Sequence, residues 1–241
     1  MVRSDDPPNP VITVQPRLAE QVYEAILSEI IEGRLAPNAR LIQDELAEAY
    51  GVSRQPVQQA LLLLRNHGLV KDAPRRGLIV SSPDAEYVRN LYEIRASLEG
   101  LACRMAAERG AARAAEGAAL IEAGRAAVAS GSRTQQIAAD MAFHCFLYDL
   151  SGNPLIAETT APHWHYLRRV MGEVLRGDET TPAALWDEHA AILDAVVARD
   201  ADAADRLARS HITRAAKVFV TRLQAQQQAA EADLRRRSLR R

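Results

Sequence analysis

Cysteine and aromatic residues are scarce in this 241-residue chain, and each scarcity excludes something. The two cysteines, Cys103 and Cys145, lie far apart in apolar helical patterns. That rules out a disulfide framework and suits small buried residues in a reducing compartment. Aromatics make up 5% of residues against a hydrophobic total of 48%, in which Ala and Leu dominate. Such a composition favours packing helix on helix over building a sheet. No apolar run reaches membrane-spanning length, and Met1–Pro10 is polar and proline-rich without a signal-peptide core. The expected location is therefore the cytoplasm, with no membrane partner. The chain has no Gly-rich phosphate loop, no nucleophile elbow and no internal repeat. Its formal net charge of −1 carries no nucleic-acid signal.

What is present is a local positive field. Between residues 51 and 80, Arg54, Arg65, Lys71, Arg75 and Arg76 face Asp72 alone, enough for phosphate contacts. The same region holds a helix-turn-helix pattern, Leu46–Leu61. A short helix ends at Gly51, Val52 and Ser53 make the turn with Ser53 as N-cap, and a second helix runs from about Gln55 to Asn66. Leu46, Ala47, Val52, Val57 and Leu61 are spaced to clamp the two helices. In the DNA-binding version the second helix enters the major groove by its N-terminal end, which presents Ser53, Arg54, Gln55 and Gln58. An ordinary surface helical hairpin has the same pattern. Two short runs, Leu69–Lys71 and Leu78–Val80, flank a basic turn and read as a β-hairpin. Placed after a helix-turn-helix this is a wing, with Arg75, Arg76 and the backbone of Gly77 against the minor groove or phosphates.

The expected fold is mainly α: a winged helix-turn-helix followed by an all-helical bundle. The divisions are a disordered tail over 1–16, the DNA-binding domain over 17–80, a linker at 81–83, a helical effector-binding and dimerisation domain over 84–228, and a basic tail over 229–241. An amphipathic helix at about 17–32 presents Leu18, Val22, Ile26, Leu27 and Ile30. The helix predicted at about 84–109 puts Val88, Leu91, Ile94, Leu98, Leu101 and Met105 on one face. Pro162 breaks the segment 155–175, Arg176-Gly177-Asp178 is a loop, and Thr181 caps the helix that follows.

Within the bundle, Asp140 and His144 share a helix face. His189 and His211 lie twelve residues before and ten after a turn near residue 201, which sets them at similar height in a helical hairpin. Three neutral imidazoles and a carboxylate suit zinc or a similar divalent ion. Structural core histidines fit the same spacing. His165 is a candidate to line the bundle cavity, His163 reads as surface, and His67 as exposed or a phosphate contact.

The residues also carry a resemblance. Gly33-Arg34-Leu35-Ala36-Pro37, Leu46-Ala47, Gly51 to Val57, Ala60-Leu61, Gly68-Leu69-Val70 and Arg75-Arg76-Gly77 are similar to the N-terminal signature of GntR-family transcriptional regulators. Glu93-Ile94-Arg95 with Leu98-Glu99, Asp140 with Phe143-His144, Ser151 to Pro154, Glu188-His189 with Ile192, and His211 resemble the helical FCD domain of the FadR subgroup. The resemblance spans nearly all of residues 17–225. It implies a homodimer on a short palindromic operator and a helical domain that senses a small carboxylate. It also implies a divalent metal, zinc first with nickel or manganese as alternatives, held by Asp140, His144, His189 and His211. Arg95 matches an arginine that commonly points into the cavity, where it would meet the effector carboxylate, or else pairs with a neighbouring glutamate.

Two departures from the family pattern stand out. Gln58-Gln59 replaces the usual Arg-Glu, and Gln suits adenine where Arg suits guanine. Asp44 stands where some members carry a DNA-contacting arginine. The resulting expectation is a ligand-responsive DNA-binding regulator, a repressor rather than an activator, for sugar acids, hydroxy acids or dicarboxylates, with the Ser81–Pro83 linker carrying the change. The rivals are a sensor of the metal itself and a metal-dependent hydrolase fused to a DNA-binding domain. The second rival lacks an evident general base.

Overall fold

The computed structural model describes residues 16–74, 76–110, 113–175 and 181–238. Helix α1 (Pro16–Glu32) buries Val22, Tyr23, Ile26, Leu27, Ile30 and Ile31 along one stripe. Leu18, expected on that stripe, is 42% exposed at the first turn. Strand β1 (Arg40–Leu41) leads into α2 (Gln43–Tyr50) and α3 (Arg54–Asn66). Gly51 ends α2 in the left-handed conformation at φ 64°, which favours glycine. Leu46, Ala47, Val57 and Leu61 are buried between the two helices as their spacing predicts. Ser53 occupies the N-cap of α3 but its hydroxyl makes no capping hydrogen bond.

Strands β2 (Val70–Asp72) and β3 (Leu78–Val80) pair antiparallel, with Lys71 opposite Ile79, and β1 adds to the far edge of β3. Gly77 at φ 110° closes the wing turn, and its carbonyl accepts from the Ala73 amide. Arg75, expected at the wing tip, lies outside the described residues. So does the Arg176–Asp178 loop.

Seven helices follow: α4 (Ala85–Arg109), α5 (Ala114–Ser130), α6 (Arg133–Ser151), α7 (Pro154–Thr160), α8 (Trp164–Val174), α9 (Thr181–Val197) and α10 (Ala201–Ser238). Asp84 caps α4 by accepting from the Glu86 and Tyr87 amides. Asn153 caps α7, with Pro154 in its first turn. A single 3-10 turn, Ala161–His163, makes the break expected at Pro162. Thr181 is the first residue of α9. Helix α10 continues through the first part of the basic segment, to Ser238.

Small residues bring the helices close. A side chain at Gly100 of α4 would run into Asp205 and Arg209 of α10, and one at Gly124 of α5 would start 2.0 Å from the Trp186 ring of α9. The two parts of the molecule share a core, since Ile137 of α6 and Met171 of α8 join the cluster built on α1 and α3. Gly172 of α8 lies against Ile31 of α1. Polar contacts reinforce this junction: Arg168 donates to both carboxylate oxygens of Glu24 at 3.0 and 2.7 Å, and Thr134 Oγ1 donates to Glu32 at 2.6 Å.

Candidate functional site

Helices α6, α9 and α10 bring Asp140, His144, His189 and His211 together in the bundle, each 4% exposed or less. The two pairs, one read from a shared helix face and one from turn height, therefore form one cluster in space. His189 Nε2 lies 3.1 Å from His211 Nε2 and 3.6 Å from Asp140 Oδ1, and His144 Nε2 lies 3.8 Å from the same oxygen. The three imidazoles present ligand nitrogens within 4.8 Å of one another.

Two carboxylates that spacing alone did not bring out fix the rings. Glu99 Oε2 accepts from His144 Nδ1 at 3.0 Å, and Glu188 Oε2 from His211 Nδ1 at 2.8 Å. With Nδ1 protonated, each ring turns its Nε2 lone pair toward the centre, the outer-shell arrangement of metal-binding histidines. Glu99 is itself held by Arg95 Nε at 3.0 Å and Tyr148 Oη at 2.5 Å. Burial pushes the Glu99 carboxyl up, but His144 and Arg95 outweigh it and hold it well below the usual range. Burial, then His211, His144 and Arg95, drive His189 well below its ordinary value, and burial also lowers His211. Both are neutral at pH 7 and free to coordinate.

The cluster fits a divalent metal on its own geometry. His144 Nε2 and His189 Nδ1 are buried with no hydrogen-bond partner, and an orphaned buried polar atom costs about 1–3 kcal/mol. A cation at the convergence of the Nε2 atoms would relieve the first. With Zn–N bonds of about 2.0–2.1 Å, neighbouring ligand nitrogens sit roughly 2.9–3.4 Å apart, which brackets the His189–His211 separation.

A cavity of about 200 Å³ adjoins the cluster, bordered by Asp140 and His211 and by Glu188, Arg214, Trp186 and Phe219. Arg95 does not line it. That guanidinium is 4% exposed, paired with Glu99 and set over the Trp164 ring at 5.0 Å. It therefore acts on the cluster through Glu99, and Arg214, which binds Glu188 at 2.8 Å, is an arginine at the cavity. The two differ in setting: Arg95 is buried within the bundle, whereas Arg214 is exposed at the cavity's edge.

His165, a candidate for the cavity wall, is not among its lining residues. It faces away from the cavity and stacks on His67, with centroids 4.2 Å apart and planes 5° from parallel. Tyr23 meets both rings edge-on, and its hydroxyl lies 2.9 Å from His67 Nδ1. His67 is thus half-buried at the junction of the two parts rather than free for phosphate. Burial lowers the pKa of His67; burial, then His67 and Arg168, lower that of His165, with Glu24 opposing. The unfolded chain, titrating near 6.5, binds more protons than the folded one below that value, so these rings cost stability as pH falls. We expect the chelated protein to lose melting temperature between pH 7.5 and 5.5. The H67Q/H165Q double variant should lose less over the same range, as read by differential scanning fluorimetry.

At the other end of the molecule, Ser53, Arg54, Gln55 and Gln58 are all exposed on the N-terminal half of α3 or its cap. Arg54 Nε pairs with Asp44 at 2.7 Å, and Gln43 donates to the Arg54 carbonyl at 2.8 Å. Gln58 and Gly77 border one groove between α3 and the wing. Arg76 is exposed beside it, and its carbonyl accepts from Arg40.

The family model for bacterial regulatory proteins of the gntR family matches residues 18–80, and that for the FCD domain matches residues 90–214. The chain belongs to the GntR family, in its FCD-containing branch. It is a DNA-binding transcriptional regulator of that type. An HTH-type transcriptional regulator in an unstable DNA locus of Streptomyces ambofaciens is 32% identical over 79% of this chain and 80% of its own. Bacillus subtilis YdhC, an HTH-type transcriptional regulator, is 36% identical, but the match spans only 35% of this chain and 38% of that protein. The crystal structure of a transcriptional regulator GntR from Rhodococcus sp. RHA1 superposes with a TM-score of 0.71 at 26% identity, over 84% of this chain and 97% of that one. Among the described residues no helix is long and apolar enough to cross a membrane.

Proposed function

We propose that this regulator is a homodimeric repressor that binds a palindromic operator and is switched by a small carboxylate at a metal-containing pocket. The observation that carries the reading is the triad of His144, His189 and His211 with Asp140 against two of them, beside a cavity and in one chain with an exposed recognition helix. The three imidazoles and Asp140 would hold the metal, which when bound supplies a Lewis-acidic seat for a carboxylate oxygen. Glu99 and Glu188 orient the rings; each is already taken up by an imidazole, which argues against a free general base and hence against a hydrolase. The proposed division of the chain is a DNA-binding domain over 17–80, a linker at 81–83 and a helical sensor over 84–228.

Dimerisation is supported by α4. Tyr87, Ile94 and Leu101 recur every seven residues and are 44%, 59% and 40% exposed, an apolar stripe that a two-fold partner helix would cover. Two recognition helices would then enter successive major grooves. Effector binding switches DNA affinity only if it favours one arrangement of the winged domains over another.

For base reading, Gln58 projects from the exposed face of α3 and suits adenine N6 and N7. Selection from random duplexes should yield a two-fold symmetric site with adenine at the base Gln58 faces. Gln58→Arg should move that position to guanine, with discrimination of roughly tenfold or more. An unchanged preference would sink the assignment.

A further inference from the structure

The cavity beside the histidine cluster is lined mostly by hydrocarbon. Met171 and Val174 come from α8, Leu185 and Trp186 from α9, and Val218 and Phe219 from α10. Polar groups reach it from the metal-ligand side: Asp140 and, one turn before it on α6, Gln136; His211 and, three residues on along α10, Arg214; and Glu188. Glu188 is already engaged by His211 and Arg214. Arg222 also borders the cavity, and its guanidinium donates to the Val174 carbonyl at 2.6 Å.

We propose that the effector is a monocarboxylate of about six to ten heavy atoms in all with an apolar body, an aromatic or short aliphatic acid, and not a polyhydroxy acid or a citrate-like hydroxy acid. The inference rests on the carboxylate reading above and narrows it. Three physical facts carry it. The volume is about 200 Å³, and an apolar cavity of about 150 Å³ is known to accept benzene, so a ring or short chain fits with room for one carboxylate. The polar groups stand where the carboxylate would meet the metal ligands and Arg214. Elsewhere the described walls are hydrocarbon apart from Arg222, which is engaged at the Val174 carbonyl, so a string of hydroxyls would meet few partners there, and each hydroxyl buried without one loses its hydrogen bonds to water. A second carboxylate pressed against Trp186, Val218 and Phe219 would be worse still.

The test is isothermal titration calorimetry of the zinc-loaded full chain with butanoate, pentanoate, hexanoate, benzoate, gluconate, citrate and hexanol. Affinity should rise about fourfold per methylene from butanoate to hexanoate. Benzoate should bind at least tenfold more tightly than gluconate or citrate, and hexanol at least tenfold more weakly than hexanoate. Ala215→Phe, which fills the cavity from α10, should remove hexanoate binding while zinc stoichiometry stays at that of the unsubstituted chain. Should that variant fail to fold, Val218→Asn should flatten the methylene series instead. A flat series in the native chain, or gluconate or citrate binding more tightly than benzoate, would overturn the apolar-body inference and leave the carboxylate reading standing. Hexanol binding as well as hexanoate, or no acid binding at all, would overturn both.

Discussion

Zinc added to the chelated protein should raise its melting temperature by about 8–16 °C when free metal reaches a thousandfold excess over the dissociation constant. At that excess linkage contributes roughly 4 kcal/mol, and each kcal/mol moves the midpoint of a domain this size by about 2–4 °C. The rise should grow with the logarithm of free metal and vanish in His189→Ala or His211→Ala, because each removes a nitrogen from a pair 3.1 Å apart. Glu99→Gln is the more telling variant. It keeps the packing but withdraws the carboxylate that orients His144, so metal affinity should fall about 10- to 100-fold without being lost. Scanning fluorimetry against a metal-buffer series reads all four proteins. A shift of equal size in His189→Ala would place the metal elsewhere.

Ile94→Glu should convert the proposed dimer to a monomer and weaken operator binding by at least 100-fold. In a two-fold interface the substitution occurs twice. Fully burying an Ile contributes about 1.5–3 kcal/mol, and each Ile94 has 59% of its surface left to bury, so loss of the pair alone weakens association by roughly one to two and a half powers of ten, before counting the carboxylates brought face to face. A monomer loses the second half-site, and with it the gain from tethering two readers. Sedimentation equilibrium reads the mass, and fluorescence anisotropy on the selected operator reads the affinity. Because Ile94 is 59% exposed in the single chain, the fold itself should be untouched, and an unaltered circular dichroism spectrum checks this. A variant that stays dimeric would move the interface off α4.

The same stripe marks a limit of sequence reading. Val88, Leu91, Ile94, Leu98, Leu101 and Met105 share an apolar periodicity, yet Val88 and Leu91 are buried while Ile94 and Leu101 face outward. Periodicity reports which side of a helix is apolar, not which partner covers it. The helix-turn-helix was legible because local chemistry sets it: Gly51 ends α2, and four buried apolar positions clamp α2 to α3 with Val52 half-buried at the turn. The Asp140–His144 pair was legible from its spacing of four, and His189 with His211 because a helical hairpin converts sequence offset into height. The supporting carboxylates were harder to see. Glu188 sits beside His189 in sequence yet serves His211, and Glu99 serves a histidine 45 positions away. The Arg95–Glu99 spacing of four did hint that this arginine was already paired. His165 went astray because the turn at Ala161–His163 resets the helical phase, and with it the face on which His165 emerges.

The most direct measurement is operator affinity of the zinc-loaded protein with and without a saturating cavity ligand, by fluorescence anisotropy, with His189→Ala in parallel. An allosteric repressor should lose roughly 5- to 150-fold in affinity when the ligand binds, and His189→Ala should hold the operator equally well with or without it. Equal affinity in the native chain, at ligand concentrations that calorimetry confirms to be saturating, would contradict a regulator switched from the histidine cluster.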